Sequence, residues 1–120
     1  MTGGGKGRFP STMHLKRRKD FQSVYRGGVV WKGSCFSLHV LRRECGVRLG
    51  IVVPRRFGTA VERNRSKRRL REAYRRIALS LPPTDVIVRP VGNCERFDIE
   101  EMGRTLVRGV KEALAREVKI

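Results

Sequence analysis

Thr59-Ala-Val-Glu62-Arg63-Asn64-Arg65-Ser66-Lys67-Arg68-Arg69-Leu70-Arg71-Glu72-Ala73-Tyr74-Arg75-Arg76-Ile77-Ala78-Leu79 reads as one basic helix, and the rest of the chain can be arranged around it. Eight of the fourteen residues from Arg63 to Arg76 are Arg or Lys, against one Glu. Leu70, Ala73, Tyr74 and Ile77 recur at helical spacing and mark one narrow apolar face. Lys67, Arg71 and Arg75 follow four apart on a second stripe, with Arg65, Arg69 and Arg76 on the other flank. Like charges at (i, i+4) cost roughly 0.2–0.5 kcal/mol per pair, and a solvated helix normally intersperses acids to relieve them. Here the repulsion stands, which points to an external polyanion, with nucleic acid the first candidate.

The ends of this helix are legible too. Thr59-x-x-Glu62 fits a capping box, in which each side chain satisfies an orphan backbone N–H. Gly58 permits a sharp turn into the helix, and Pro82-Pro83 closes the segment after Leu81. Arg63, Asn64 and Arg65 then fall in the first two turns, where free N–H groups and the helix dipole favour an anion. Arg forks chelate phosphates, and Asn donates to a phosphate or a base edge.

The 120 residues suit one domain, which buries roughly two thirds of its unfolded surface. A net charge of +17 exceeds what solubility needs and steers the chain toward polyanions. At 39% hydrophobic residues it is nevertheless a folding chain and no disordered basic tail. Cys35, Cys45 and Cys94 are odd in number and form no Cys-x-x-Cys pair, and only His14 and His39 add imidazole. That disfavours a zinc site and fits a reducing compartment. No stretch approaches the ~18 apolar residues of a membrane span, and the N-terminus lacks the apolar run of a secretory signal. The expected location is the cytoplasm.

Outward from the basic helix, residues 1–14 read as a flexible, glycine-rich basic leader and residues 15–120 as a single RNA-binding domain. Gly3-Gly4-Gly5-Lys6 lacks both the spacing and the preceding strand of a phosphate loop. Leu15 to Arg26 carries Phe21, Val24 and Tyr25 at helical spacing, stopped by Gly27-Gly28. Val29 to Trp31, Cys35 to Arg42 and Val47 to Val53 read as strands. The second alternates Phe36, Leu38 and Val40 against Ser37 and His39. A strand at Asp85 to Arg89 follows the basic helix. A long amphipathic helix from about Asp98 then carries Ile99, Met102, Leu106, Val110, Leu114 and Val118. The expected fold is an α+β sandwich in the order α-β-β-β-α-β-α, with helices packed on a small four-stranded sheet.

Arg63-Asn64-Arg65-x-Lys67-Arg68-x-x-Arg71-Glu72 resembles the signature of the bacterial ribonuclease P protein component. The likeness extends to Leu15-Lys16, Phe21-Gln22, Val24-Tyr25 and Gly27 in the first helix. It also covers Val47 to Arg56 with Gly58, Ala60 and Val61, and Asp85 to Pro90. Tyr25 stands where the family often has Phe, and Pro54 where it often has a small polar residue. The resemblance implies a protein subunit that assists a catalytic RNA subunit in the magnesium-dependent endonucleolytic removal of the 5′ leader from precursor tRNA. It further implies a left-handed βαβ crossover, an exception to the usual rule.

On this resemblance Arg63, Asn64, Arg65, Lys67, Arg68 and Arg71 bind the RNA subunit. Phe21, Tyr25, Trp31, Lys32, Phe36, Arg55, Arg56 and Arg89 form the expected leader-binding set, in a cleft between the sheet and the first helix. Read without the family, the four aromatics can stack on bases, but a small domain also needs aromatics inside. Arg55-Arg56 and Lys32-Gly33 suit a cleft rim or a solvated loop alike. Mg2+ is expected mainly on the RNA subunit and substrate, with no metal ligand and no catalytic residue in the protein. The partners are the catalytic RNA subunit and precursor tRNA, with no membrane and no obligatory protein partner. A structural ribosomal-type RNA-binding protein of related fold remains the alternative. A nuclease acting alone is disfavoured, because two-metal hydrolysis needs clustered carboxylates. Asp20, Glu44, Asp85, Asp98 and Glu100-Glu101 are scattered instead, and no acid or nucleophile is tied to His14 or His39 by motif.

Overall fold

The computed structural model describes residues 13–91 and 96–118. Residues 1–12, which hold nearly all of the expected leader, and Cys94 lie outside the described residues, as does the side chain of Val118. Strands β1 (Val29–Lys32), β2 (Phe36–Arg42), β3 (Val47–Ile51) and β4 (Thr84–Pro90) form one sheet in the order β1-β2-β4-β3. Helix α1 (Arg18–Gly27) precedes the sheet, α2 (Ala60–Ile77) joins β3 to β4, and α3 (Ile99–Val118) follows. β1 with β2 and β2 with β4 are antiparallel, whereas β3 and β4 are parallel. Parallel neighbours cannot be joined by a tight turn, so α2 serves as the crossover. The α+β class and the element order agree with the sequence pattern.

Boundaries differ where a specific bond decides them. α1 starts at Arg18 rather than Leu15, because the Leu15 N–H donates to the Leu49 carbonyl at 2.9 Å and keeps that segment extended. His14 bridges Leu49 in parallel fashion, so the chain is tied to β3 already within the expected leader. Gly28 stops α1 by close approach: a Cβ there would lie 2.5 Å from the Val24 carbonyl oxygen and 2.8 Å from that of Val40. α2 opens with the expected capping box, Thr59 N–H donating to Glu62 Oε1 (2.8 Å) and Glu62 N–H to Thr59 Oγ1 (3.1 Å). A second box, Asp98 with Glu101, opens α3.

Strand alternation sorts side chains between the two faces. Phe36, Leu38, Val40, Val86 and Val88 meet Leu70, Ala73 and Tyr74 of α2 and Met102, Leu106 and Val110 of α3 in the main core. On the other face α1 covers a smaller cluster of Leu15, Val24 and Ile87, with Phe21, Leu41 and Val52 packed against it. Gly50 makes this possible, since a Cβ there would sit 2.8 Å from the Phe21 ring. The missing side chain lets the ring lie close on β3. Beside this cluster Arg48 grips the buried Asp85 with two bonds of 2.8 Å and reaches Asp20 of α1 at 3.4 Å. Arg43 approaches Asp85 at 3.6 Å. The network fastens α1 to the sheet with charge.

Candidate nucleic-acid interface

Helix α2 faces the core through Ser66, Leu70, Ala73 and Tyr74, which leaves Asn64, Arg65, Arg68 and Arg71 exposed. Arg63 behaves differently. Its Nη1 donates to the Arg55 carbonyl (3.1 Å) and the Gly58 carbonyl (2.8 Å), bracing the single 3-10 turn Arg55–Phe57 that leads into α2. Arg69 is drawn toward α3, donating to the Phe97 carbonyl. Glu72 holds Arg75 (2.6 Å) and Arg76 (2.9 Å), and these cations hold its carboxyl below the usual carboxylate range. Arg71 turns toward the β3 edge, where it lines a small cavity with His14, Leu15, Phe21, Leu49, Gly50 and Ile51. The outward cationic surface of α2 is therefore carried by Arg65 and Arg68 beside Asn64, with Lys67 half-buried.

The second basic surface lies on the α1 side of the sheet. The pairing register places Val30, His39, Ile87 and Gly50 in one row across all four strands, and Lys32, Ser37 and Arg89 in the next. α1 covers the Ile87–Gly50 end and leaves the rest of the face open. Tyr25, 41% exposed, stands at the margin with its ring edge-on to His39, the centroids 4.8 Å apart at 78°. His39 Nδ1 is buried and has no hydrogen-bond partner among the described residues. Burial, and secondarily Arg89, push the His39 pKa below the usual imidazole range. Since β3 and β4 run parallel, β3 leaves the sheet at the Arg89 end and enters the exposed Arg55-Arg56 turn. Lys32, Arg55, Arg56 and Arg89 thus gather at one end of an open face bordered by an aromatic ring. An open strip with cations and a π surface suits an unpaired polynucleotide strand.

A family model described as Ribonuclease P matches residues 9–114. The chain belongs to the ribonuclease P protein family. A relative from Chlamydia trachomatis serovar L2 (strain ATCC VR-902B / DSM 19102 / 434/Bu), named Ribonuclease P protein component, is 35% identical over 107 residues, covering 88% of each chain. The RNase P protein from Thermotoga maritima superposes with a TM-score of 0.66 at 31% identity, covering 86% of this chain and 96% of that one. The Staphylococcus aureus RNase P protein gives 0.72 at 26% identity, with 84% and 94% covered. As a ribonuclease P protein, the chain is the protein subunit of an endoribonuclease of tRNA processing and works in a complex with RNA.

Two aromatics of the expected leader set prove to be core residues of this ribonuclease P fold. Phe36 is fully buried, and Trp31, 4% exposed, faces α3. The Trp31 indole N–H donates to Glu112 at 2.8 Å, while Arg108 lies 5.8 Å from its ring centroid. Strand parity is the reason: both project to the face sealed by α2 and α3, so neither has a π face free for a base. Phe21 is half-buried and shared between the small cluster and the α1 margin. Tyr25, Lys32, Arg55, Arg56 and Arg89 lie on or at the end of the open face. His39 and Ser37 belong to it as well and were missing from the expected set. The signal was available, because they alternate with Phe36, Leu38 and Val40. Among the described residues no three His, Cys, Asp or Glu side chains are grouped to hold a metal ion, and no helix is long and apolar enough to cross a membrane.

Proposed function

We propose that this ribonuclease P protein docks on its catalytic RNA subunit through the outward face of α2 and holds the 5′ leader of precursor tRNA on the open half of the sheet. The carrying observation is the pair of basic surfaces on opposite sides of the sheet, one on a helix whose two acids are taken up by its N-cap (Glu62) and by Arg75 and Arg76 (Glu72), and one beside an exposed aromatic ring. Asn64, Arg65 and Arg68 contact the RNA subunit directly, with Lys67 and Arg71 along the β3 side. Tyr25, His39, Lys32, Arg89 and the Arg55-Arg56 turn guide the leader, and Phe21, packed on Gly50, helps to seat α1 on the sheet. The protein neutralises phosphate and orients the substrate, contributing proximity to the reaction. Magnesium, held mainly by the RNA subunit and substrate, would supply the metal-assisted hydrolytic chemistry. Several of the protein's carboxylates are committed already, Asp85 and Asp20 to Arg48 and Glu72 to Arg75 and Arg76, and among the described residues no three ligands are grouped for a metal. The site of action is the cytoplasm.

The test is reconstitution. Protein freed of RNA should cleave no precursor tRNA, and addition to its RNA subunit should restore leader removal at low magnesium. Cleavage by the RNA-free protein would overturn the assignment of chemistry to the RNA. A protein that bound the RNA subunit without aiding leader removal would favour the structural ribosomal-type role.

A further inference from the structure

Helix α3 contains a basic surface that neither docking site uses. Arg104, Arg108 and Lys111 are all exposed and recur at i, i+4 and i+7. At about 100° per residue they fall within about 60° of arc, on the side of the helix away from Met102, Leu106, Val110 and Ala113. Three neighbouring acids are engaged elsewhere. Glu101 accepts the Asp98 N–H, Glu112 accepts the Trp31 indole N–H, and Glu117 pairs with Arg42. Glu100, exposed in the first turn, stands one turn before Arg104 and partly offsets it, which leaves Arg108 and Lys111 as the cations with no acid one turn before them. Arg116, five residues beyond Lys111 and off the stripe, donates to the Val30 carbonyl at 2.8 Å. None of the three stripe cations forms an ion pair among the described residues; Arg108 instead rests near the Trp31 ring.

The stripe begins beside the C-terminal half of α2. α2 packs beside α3 on the same face of the sheet, so closely that a Cβ on Gly103 would lie 3.2 Å from Ile77. Ala73, Ile77, Ile99 and Gly103 floor the shallow groove between the two helices, with Arg76 on one rim and Arg104 and Glu100 on the other. From Arg104 to Lys111 the row adds about 10 Å at 1.5 Å per residue, enough to meet more than one phosphate. α3 has no Asn, Gln or aromatic residue with which to read a base.

We propose that this α3 stripe is a second docking surface for the phosphate backbone of the same RNA that α2 engages, widening the contact from one helix to two. The inference rests on the reading that α2 is the RNA-subunit face. Cations on separate turns contribute affinity and orientation without sequence preference.

The test compares the salt dependence of binding to the in vitro transcribed ribonuclease P RNA for three variants. Arg104→Gln with Lys111→Gln removes most of the α3 stripe and leaves Arg108 on Trp31. Arg65→Gln with Arg68→Gln weakens α2. Arg18→Gln with Lys19→Gln removes equal charge from exposed positions of α1. The α3 variant should lower the slope of log affinity against log salt by about 1.5, at 0.7–0.9 per phosphate contact. The α1 variant should change it by less than half as much. Equal losses in the α1 and α3 variants would reduce the stripe to a general positive field and overturn the proposal. An unchanged slope in the α3 variant with a flattened one in the α2 variant would overturn it while leaving the α2 reading intact. An unchanged slope in the α2 variant would instead overturn that reading. Lys111→Glu alone, with helix content checked by circular dichroism, repeats the α3 arm if the double variant folds poorly; an unchanged slope there counts against the proposal equally.

Discussion

The two faces of the sheet receive similar residues and put them to opposite uses. On the α2/α3 face, Trp31 and Phe36 disappear into a dry core, and the one indole N–H finds a carboxylate at the rim. On the α1 face, a ten-residue helix covers only part of the sheet, Tyr25 remains exposed, and charge takes over from apolar packing through Arg48, Asp85 and Asp20. Whether an aromatic of this chain is buried or exposed therefore follows from strand parity and from how far a helix covers the sheet, and residue type alone does not decide. The sealed face supplies stability, and the half-covered face supplies a surface.

That division predicts a double dissociation. Phe36→Ala should lose about 3–5 kcal/mol of stability in urea unfolding, as a large core truncation does. Tyr25→Ala should lose under about 1 kcal/mol yet weaken the holoenzyme's preference for leader-bearing substrate over mature tRNA, each stacked base being worth about 1–3 kcal/mol. A stable Phe36→Ala protein with impaired leader preference would reverse the assignment of faces. Next in size, Asp85→Asn should cost about 2–3 kcal/mol, because it leaves the Arg48 guanidinium half-partnered beneath α1. Asp20→Asn should cost distinctly less, its bond to Arg48 being longer and more exposed.

Within the basic helix, Arg63→Ala and Arg65→Ala should part company. Arg65→Ala should flatten the salt dependence of RNA binding by about one contact, at 0.7–0.9 in slope. Arg63→Ala should leave that slope nearly unchanged and instead loosen the Arg55–Phe57 turn, lowering leader affinity. Identical slopes for the two variants would show that Arg63 abandons its carbonyl acceptors to bind phosphate. The smallest effect is on pH. His39 in the folded protein has a pKa below its unfolded value, so the unfolded chain binds more protons in that range. His39 thus contributes stability that is present above the unfolded imidazole pKa and lost as pH falls through the folded one. His14 acts in the same direction, through burial and then Arg71 and Lys16. Leader binding should show the opposite sign, since a phosphodiester near His39 favours its protonated form. Leader affinity that rises rather than falls from pH 5 to pH 8, measured beside His39→Gln, would remove His39 from the leader path.

The local signals in this sequence carried far. Thr59 and Glu62 cap α2 as their spacing predicts, Gly27-Gly28 ends α1, and the apolar positions of α2 and α3 face the core. Apolar periodicity and capping are properties of one segment and survive without a partner. What the sequence could not display were relations between segments. The Arg48–Asp85–Asp20 network joins residues from three elements, and nothing near Asp85 announces that Arg48 lies opposite it in register. Arg63 reads as a phosphate ligand until the Arg55 and Gly58 carbonyls are seen behind it. The errors at Trp31 and Phe36 are of another kind. The alternation that assigned Phe36, Leu38 and Val40 to one face already withdrew Phe36 from any face shared with His39.

The crossover of α2 between β3 and β4 also bears on the order of assembly. β4 lies between β2 and β3, yet it follows the most highly charged segment of the chain. Closing β3 onto β4 requires bringing together the ends of a segment that, before its helix forms, is extended by its own repulsion. Until then β2 and β3 present unpaired edges, the usual starting point for aggregation. A polyanion that neutralises α2 therefore acts on the folding rate as well as on the folded state. Refolding should be faster in sulfate than in chloride at matched ionic strength, and equal rates would leave only general screening. A chain that meets such a polyanion late should accordingly spend longer with its sheet edges open.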